Sequence, residues 1–419
     1  MKLELKYGQG KIKIHLPEST EVEILAPLKR EAVSSVKKAL NGALLKANEN
    51  TQLFRSFSGH NATVAIAIPD ETRPLPTAEI LPYLLDWLYT VIPNLNPERV
   101  RIVIGCGLHP SENDHIQKRL IPSLIASQCQ VIVHDAFNSR TLDVGSTSNG
   151  TPVLLNEVFA TADFKITIGL IDPHQIVGFT DSISSMVICC CGEETIEKNH
   201  SLMFNNAAHV GVLHGNSVRE DLNEAGQIAA IDLAIDFVLA PNKEVVEIHA
   251  GHPEANLAKG ARTAADLYGV SIGEKFDIVV ASCGGYPKDK CLYQAQKALN
   301  LASQAVKAGG HILLLAALSQ GVGDDIYFDY VSQFTTPEEV LADFRKQRSR
   351  MGPHKAFLFG RTLSEYDVAV HSELDQGILK KCHLRAANPS QIIAEWLGQA
   401  AGTKKVAIIT DAGTTYFLQ

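Results

Sequence analysis

Thr63-Val-Ala-Ile-Ala-Ile-Pro-Asp-Glu-Thr-Arg-Pro-Leu-Pro-Thr77 passes from an unbroken apolar run into a proline-stiffened polar loop and then a helix start. An apolar run without polar alternation is the pattern of a strand buried on both faces. Helical periodicity follows from Thr77, a good capping residue, to about Val91. Outward from this unit the alternation repeats. Strands are expected at Arg99–Cys106, Gln130–His134 and Phe164–Ile171, and helices across 112–127 and 221–238. A second series opens with a strand at Asp277–Ser282. It continues with a helix at 290–307, a strand at 311–317 and a helix at 337–348, then strands at 366–371 and 405–410 around a helix at 389–400. Such alternation predicts an α/β chain with mostly parallel sheets flanked by helices.

At 419 residues the chain is too long for one ordinary core, and Tyr268–Lys275 reads as a linker. The expected division is an N-terminal α/β domain, 1–270, and a C-terminal α/β domain, 271–419, with the active site in the cleft between them. The opening residues read as an antiparallel pair, Lys2–Tyr7 and Lys11–Leu16 around Gly8-Gln-Gly10, with Val22–Leu25 following in the first domain. Roughly the last 20 residues are expected to pack back on that domain.

Hydrophobic residues make up 45% and charged residues 20%, as in a globular protein. A net charge of -8 argues against a nucleic-acid partner, which would need a basic face. No apolar stretch approaches the ~20 residues of a membrane span, and the first residues do not resemble a signal peptide. The eight cysteines lie mainly in or beside apolar runs without CxxC spacing, the usage of reduced thiols, so the protein is expected to be cytoplasmic.

Three histidines stand where chemistry is expected. His109 closes Ile102-Val-Ile-Gly-Cys-Gly-Leu-His109, and His174 follows Ile166-Thr-Ile-Gly-Leu-Ile-Asp-Pro173. His200 ends Glu193-Glu-Thr-Ile-Glu-Lys-Asn-His200, beyond the apolar, strand-like run Met186–Cys191. Ligands of α/β proteins bind at the carboxyl ends of strands, and imidazole suits both proton transfer and metal ligation. Two imidazoles at two strand ends suit proton removal from either of two mirror-image molecules. The glycines before His109 leave room for backbone to approach a ligand. The loop Asp70-Glu71-Thr72-Arg73 suits an anion beside a helix start, or else holds an Asp70–Arg73 pair that only orders the loop. On a helix starting near Asp289, Tyr293, Gln294 and Lys297 share a face suited to a carboxylate. Cys189, Cys190 and Cys191 read as buried apolar residues or as soft metal donors.

As an ordered set these segments resemble the nickel-dependent lactate racemase family of nickel-pincer 2-hydroxyacid racemases and epimerases. The landmarks are Ile68–Thr77, Gly105–His109, Asp143–Pro152, Pro173-His174 with Gly178-Phe179, Glu194–Met203 and Gly285–Leu299. The resemblance implies a Ni(II)-pyridinium-3,5-bisthiocarboxylate mononucleotide with His200 as the metal's protein ligand, and cofactor-synthesis enzymes as partners. By the same resemblance Asp70, Glu71, Thr72 and Arg73 hold the nucleotide, and His109 and His174 are the acid/base pair. Arg73, Tyr293, Gln294 and Lys297 would then meet a 2-hydroxy acid, with Phe179, Tyr286 and Met351–Phe359 shaping the pocket around its side chain.

One departure is instructive. Family members carry Gly-Gly-Arg-Lys-Ser after the Gly-Phe pair, and the lysine bonds covalently to the cofactor. Here the stretch is Phe179-Thr-Asp-Ser-Ile-Ser184-Ser185, so Ser184 stands in the lysine's place and Asp181 replaces a glycine. The cofactor is therefore expected to bind non-covalently, with Ser184 among the residues that meet it. The other readings are a non-catalytic paralogue that binds a hydroxy or oxo acid, or a metal-free enzyme using the histidines as acid and base.

Overall fold

The computed structural model describes residues 1–18, 20–51, 62–108, 113–204, 207–347, 353–398 and 404–418. The chain forms two compact units: Lys29–Leu267, and Met1–Leu28 together with Tyr268–Gln419.

The Lys29–Leu267 unit is built on six strands in the order Val245–Gly251, Leu233–Leu239, Phe164–Leu170, Val64–Pro69, Val100–Gly105, Gln130–His134. All are parallel except the antiparallel edge Val245–Gly251. Ile66 pairs with Ile102 on one side and Ile166 on the other. These residues are fully buried, as the continuous apolar runs predict. Ile80, Leu81, Leu84 and Leu88 of the helix Thr77–Val91 join the same core. From Val64–Pro69 the chain first builds outward through Val100–Gly105 and Gln130–His134. It then returns to add Phe164–Leu170 on the opposite side. The direction of winding thus reverses between Val64–Pro69 and Phe164–Leu170, where α/β sheets open a crevice.

The second unit repeats the design. Its sheet, Arg385–Ala386, Asp367–His371, Val306–Leu315, Phe276–Ser282, Lys405–Ile409, Glu21–Leu25, is wholly parallel. Its winding reverses between Phe276–Ser282 and Lys405–Ile409.

Mostly parallel sheets flanked by helices are as expected, but several expectations need correction. Glu21–Leu25 pairs in parallel with Lys405–Ile409, so the first 28 residues belong with the C-terminal unit and not with a 1–270 domain. The expected linker contains the strand Gly269–Ser271, which pairs with Tyr416–Leu418; the chain's end therefore packs within its own unit. The 221–238 helix is in fact a helix, Ser217–Ile228, followed by the buried strand Leu233–Leu239. The run before Cys191 is no strand: Met186 and Val187 end the helix Ser182–Val187, which is buried on all sides, its three serine hydroxyls hydrogen-bonded to Asp181 and Asp236. Pro122 divides the expected 112–127 helix into Asn113–Leu120 and Ser123–Gln128. The 290–307 helix stops at Ala302. Among the described residues no helix is long and apolar enough to cross a membrane.

Candidate active site

The loop Asp70–Arg73 leaves the strand beside the winding reversal. Its first amide, Asp70 N–H, donates to the Gly105 carbonyl at 3.1 Å, tying the ends of two neighbouring strands together. The buried Asp70 carboxylate accepts from the Thr72 N–H (3.0 Å) and from the Thr72 hydroxyl. Arg73 Nη1 in turn donates to Thr72 Oγ1 at 3.3 Å. Asp70 thus orders the loop through Thr72, and Thr72 orients the guanidinium. Glu71 pairs with Arg119 at 2.7 Å.

Gly105 and Gly107 have a different use from the one expected. A Cβ on Gly105 would lie 2.6 Å from Cys189 Cβ and 2.7 Å from Cys190 Sγ. Gly107, at φ +57°, donates its N–H to the Cys189 carbonyl at 3.0 Å. The room these glycines leave is filled by the Cys189–Cys191 turn. Burial pushes the Cys189 thiol up to about 12, with the Arg73 charge opposing, and also raises Cys106, Cys190 and Cys191. Cys190 and Cys191 are fully buried, as the apolar reading of this cluster expects. His134, wholly buried at the end of Gln130–His134, faces the Cys191 carbonyl through Nε2 at 3.0 Å. His109 lies outside the described residues.

His174 follows the other strand of the reversal, on a two-residue hairpin, Pro173–His174 against Gly178–Phe179. The N–H groups of Ile176 and Val177 donate to its Nδ1 over 3.5 and 3.4 Å. Behind the hairpin, Asp181 and Ser184 form a reciprocal cap on the Ser182–Val187 helix. Ser184 N–H donates to Asp181 Oδ1 and Asp181 N–H to Ser184 Oγ, each at 2.8 Å. Ser184 in the lysine's place is therefore buried and serves the helix cap.

The extra negative charge of Asp181 is met by Arg219, also buried, whose Nη1 lies 3.1 Å from both carboxylate oxygens. Nearby Asp236 accepts from Ser182 N–H (2.6 Å), Ser182 Oγ (3.0 Å) and Asn256 Nδ2 (3.0 Å). Burial, reinforced by the Asp181 charge, raises its pKa. Sequence reading passed over Arg219 and Asp236 because Arg219 lay ahead of the expected helix and Asp236 inside it. Asn216, which caps Ser217–Ile228, is the signal that sets this helix start correctly.

His200 ends the helix Glu193–His200, half-buried, beside the buried Asn199. Asn199 Nδ2 donates to Asp221 Oδ2 (2.9 Å) and to the Val218 carbonyl (3.1 Å), and Asp221 Oδ1 accepts from Thr147 and Thr151. The Asp143–Pro152 segment is thereby given a structural use. Among the described residues no three His, Cys, Asp or Glu side chains are grouped to hold a metal.

In the other unit, Leu292–Ala302 buries Leu292, Ala295, Gln296, Ala298 and Leu299 and leaves Tyr293, Gln294 and Lys297 half-exposed on one face, as the spacing predicted. Tyr293 packs edge-on against Tyr327 and His354, and Lys355 Nζ sits 5.1 Å above its ring and 3.2 Å from Gln296 Oε1. Of the expected pocket-shaping residues, Phe179 is buried and Tyr286 half-buried, while Met351 and Gly352 lie outside the described residues.

Two doubly wound α/β units, with a charged loop and a histidine at the reversal of one sheet, define an α/β protein with a candidate ligand site at that reversal. Residues 7–211 match the lactate racemase N-terminal domain and residues 273–414 the lactate racemase C-terminal domain. The chain belongs to the lactate racemase family, and so to the isomerases. It is 28% identical over 346 residues to a lactate racemase of Thermoanaerobacterium thermosaccharolyticum, covering 81% of this chain and 80% of the relative. It is 29% identical over 364 residues to that of Lactiplantibacillus plantarum, covering 84% of each. The fold matches the lactate racemase apoprotein from T. thermosaccharolyticum with a TM-score of 0.90 at 24% identity over the whole of both chains. It matches a Thermotoga maritima protein with a TM-score of 0.66 at 15% identity, over 89% of this chain and 97% of that one.

Proposed function

We propose that this chain racemises or epimerises a 2-hydroxy acid, lactate or a larger relative, with a nickel-pincer mononucleotide bound non-covalently. The observation that carries the reading is the sheet reversal with the Asp70–Arg73 loop on one flanking strand and His174 on the other. The residues fit such a group. His200 would be the metal's one protein ligand, the pincer supplying the others. Arg219 cancels the Asp181 charge that stood against an anionic cofactor. With Ser184 as a helix cap, the nucleotide would be held by the Asp70–Arg73 loop and by His200. When bound, the cofactor supplies a hydride acceptor and donor for the C2 hydrogen.

The protein's own work is positioning and proton transfer. Gln294 and Lys297 bind the substrate carboxylate, with Tyr293 beside them, and Arg73 adds positive charge. His109 and His174 would serve as the acid/base pair on the 2-hydroxy acid. A neutral imidazole takes the 2-hydroxyl proton and the resulting imidazolium returns it, as an imidazole with a pKa near neutrality allows.

The test is to produce the chain with cofactor-synthesis enzymes and measure metal content, intact mass and interconversion of hydroxy-acid enantiomers. Expected are nickel, a pyridinium mononucleotide released on denaturation, and an unmodified protein mass. His174→Ala is expected to reduce interconversion by on the order of a hundredfold or more. Protein free of nickel, or a covalent adduct on the chain, overturns the reading. So does metal-free turnover abolished by His109→Ala, or substrate binding without turnover.

A further inference from the structure

The winding of the second sheet reverses between Phe276–Ser282 and Lys405–Ile409, the kind of place where α/β sheets take a ligand. Here that place takes the chain's own start. The hairpin of Lys2–Tyr7 and Gly10–His15 brings its turn against both flanking strand ends. Ser282 Oγ donates to the Lys6 carbonyl at 2.6 Å, and Lys6 Nζ to Asp411 Oδ2 at 3.1 Å. Tyr286 N–H donates to the Gly8 carbonyl at 2.8 Å, and Gly8 N–H to Asp289 Oδ2 at 2.6 Å. Gly8 adopts φ +53°, and a Cβ on it would lie 3.3 Å from Ala317 Cβ.

Asp289 is wholly buried, and its Oδ2 accepts from Gly8 N–H and also from Ala317 N–H at 3.2 Å. From there a reciprocal ladder runs to the helix Leu292–Ala302. Leu318 and Gln320 N–H donate to the Asp289 and Lys290 carbonyls, each at 2.8 Å. Leu292 and Tyr293 N–H donate back to the carbonyls of Gly321 (3.1 Å) and Val322 (2.9 Å). Leu318 sits at φ +55°, a conformation that a bulky residue keeps only where its surroundings over-determine it. We propose that Asp289, propped by the Gly8 turn, is a positioning residue that sets the start of Leu292–Ala302 and with it the Tyr293, Gln294 and Lys297 face. The first N–H groups of a helix lack partners within it and leave its start free to fray. Here two of them are bonded to a loop whose own end is held by the Asp289 carboxylate. The N-terminal hairpin is thereby part of the substrate-binding apparatus. The functional weight of this inference rests on the reading of Gln294 and Lys297 as carboxylate contacts; the hydrogen bonds do not.

Asp289→Ala removes the acceptor shared by Gly8 and Ala317, while Asp289→Asn keeps an oxygen in the Oδ2 position. Asp289 Oδ1 has no hydrogen-bond partner among the described residues, so the amide nitrogen displaces no bond. In cofactor-loaded, full-length protein, Asp289→Ala is expected to raise KM for the hydroxy acid by about tenfold, with kcat within about twofold of wild type. Asp289→Asn is expected to recover most of that rise. Asp289→Ala should add little to Lys297→Ala, because a residue that acts through another is not additive with it. Gly8→Ala, which pushes the turn off Ala317, should raise KM in the same direction, and it carries the test if Asp289→Ala does not fold. Amide hydrogen exchange at Leu292 and Tyr293 is expected to speed up in Asp289→Ala, and to stay as in wild type in Lys13→Ala, an exposed site on the same hairpin.

A folded Asp289→Ala protein with wild-type KM overturns the proposal. So does a loss confined to kcat, full additivity with Lys297→Ala, or unchanged exchange at Leu292 and Tyr293. A KM as high in Asp289→Asn as in Asp289→Ala overturns it too, since the charge and not the shared hydrogen bonds would then be the cause. An unchanged KM in Lys297→Ala, or a protein without turnover, removes the reading of the substrate face alone, and the exchange then judges the positioning.

Discussion

His134 is held by two bonds that it makes together only as a neutral ring. Asn156 Oδ1 accepts from the N–H groups of Val158 and Phe159, which turns its amide nitrogen toward His134 Nδ1 at 3.0 Å. Nδ1 must then accept, and Nε2–H donates to the Cys191 carbonyl. Burial lowers the ring's pKa, against smaller opposing contributions from the Cys191 carbonyl and Asp135. As pH falls below about 6.5, the unfolded chain protonates this ring while the folded chain does not. Stability contributed above that pH is therefore lost on acidification. His134→Gln, whose amide can both donate and accept, should show a smaller fall in Tm between neutral and mildly acidic pH than wild type does. Equal falls in the two proteins would show that His134 titrates as freely folded as unfolded. Little of this was legible in the sequence, where His134 is one histidine at the end of one strand. His109 and His174 drew notice because each stands beside a proline at the end of an apolar run, and His200 because it ends a polar helical stretch.

At the scale of elements, Ser182–Val187 is the piece on which the candidate site leans, and it touches the sheet without a spacer. A Cβ on Gly169, in Phe164–Leu170, would collide with the backbone N of Ser182. Gly169→Ala is expected to destabilise the protein by about 1–3 kcal/mol, measured by chemical denaturation. A change under about 0.5 kcal/mol, the usual range for surface substitutions, would contradict the contact. Sequence patterning found the strands of this sheet that are parallel and uniformly apolar. It misread Leu233–Leu239 because Asp232 and Asp236, four residues apart, imitate the polar face of a helix. In the fold they serve separate partners: Asp232 accepts from Lys165 N–H at 2.8 Å, and Asp236 caps the Ser182 turn from below. A buried carboxylate with three donors has no signature in a window of local sequence.

For the whole molecule, the ends of the chain decide the architecture. Glu21–Leu25 covers the edge of Lys405–Ile409, and Ile14 and Leu16 pack with Ile278, Val280, Ile408 and Trp396 in one core. A chain beginning at Lys29 is expected to lose the cooperative unfolding of the Tyr268–Gln419 unit in calorimetry while keeping that of Lys29–Leu267. Two intact transitions would show that the N-terminal strands are dispensable. Long-range pairing of this kind escapes sequence reading, because a five-residue strand carries no mark of a partner at the other end of the chain. The discontinuity also imposes a timetable on synthesis. Roughly 380 residues separate Glu21–Leu25 from the strand Lys405–Ile409 that it pairs with, which at ribosomal rates of about 5–20 residues per second is a wait of roughly 20–80 seconds. Throughout that interval the Lys29–Leu267 unit can fold while a free β-edge hangs from its start, so the newborn chain is most open to mispairing before its last strand emerges.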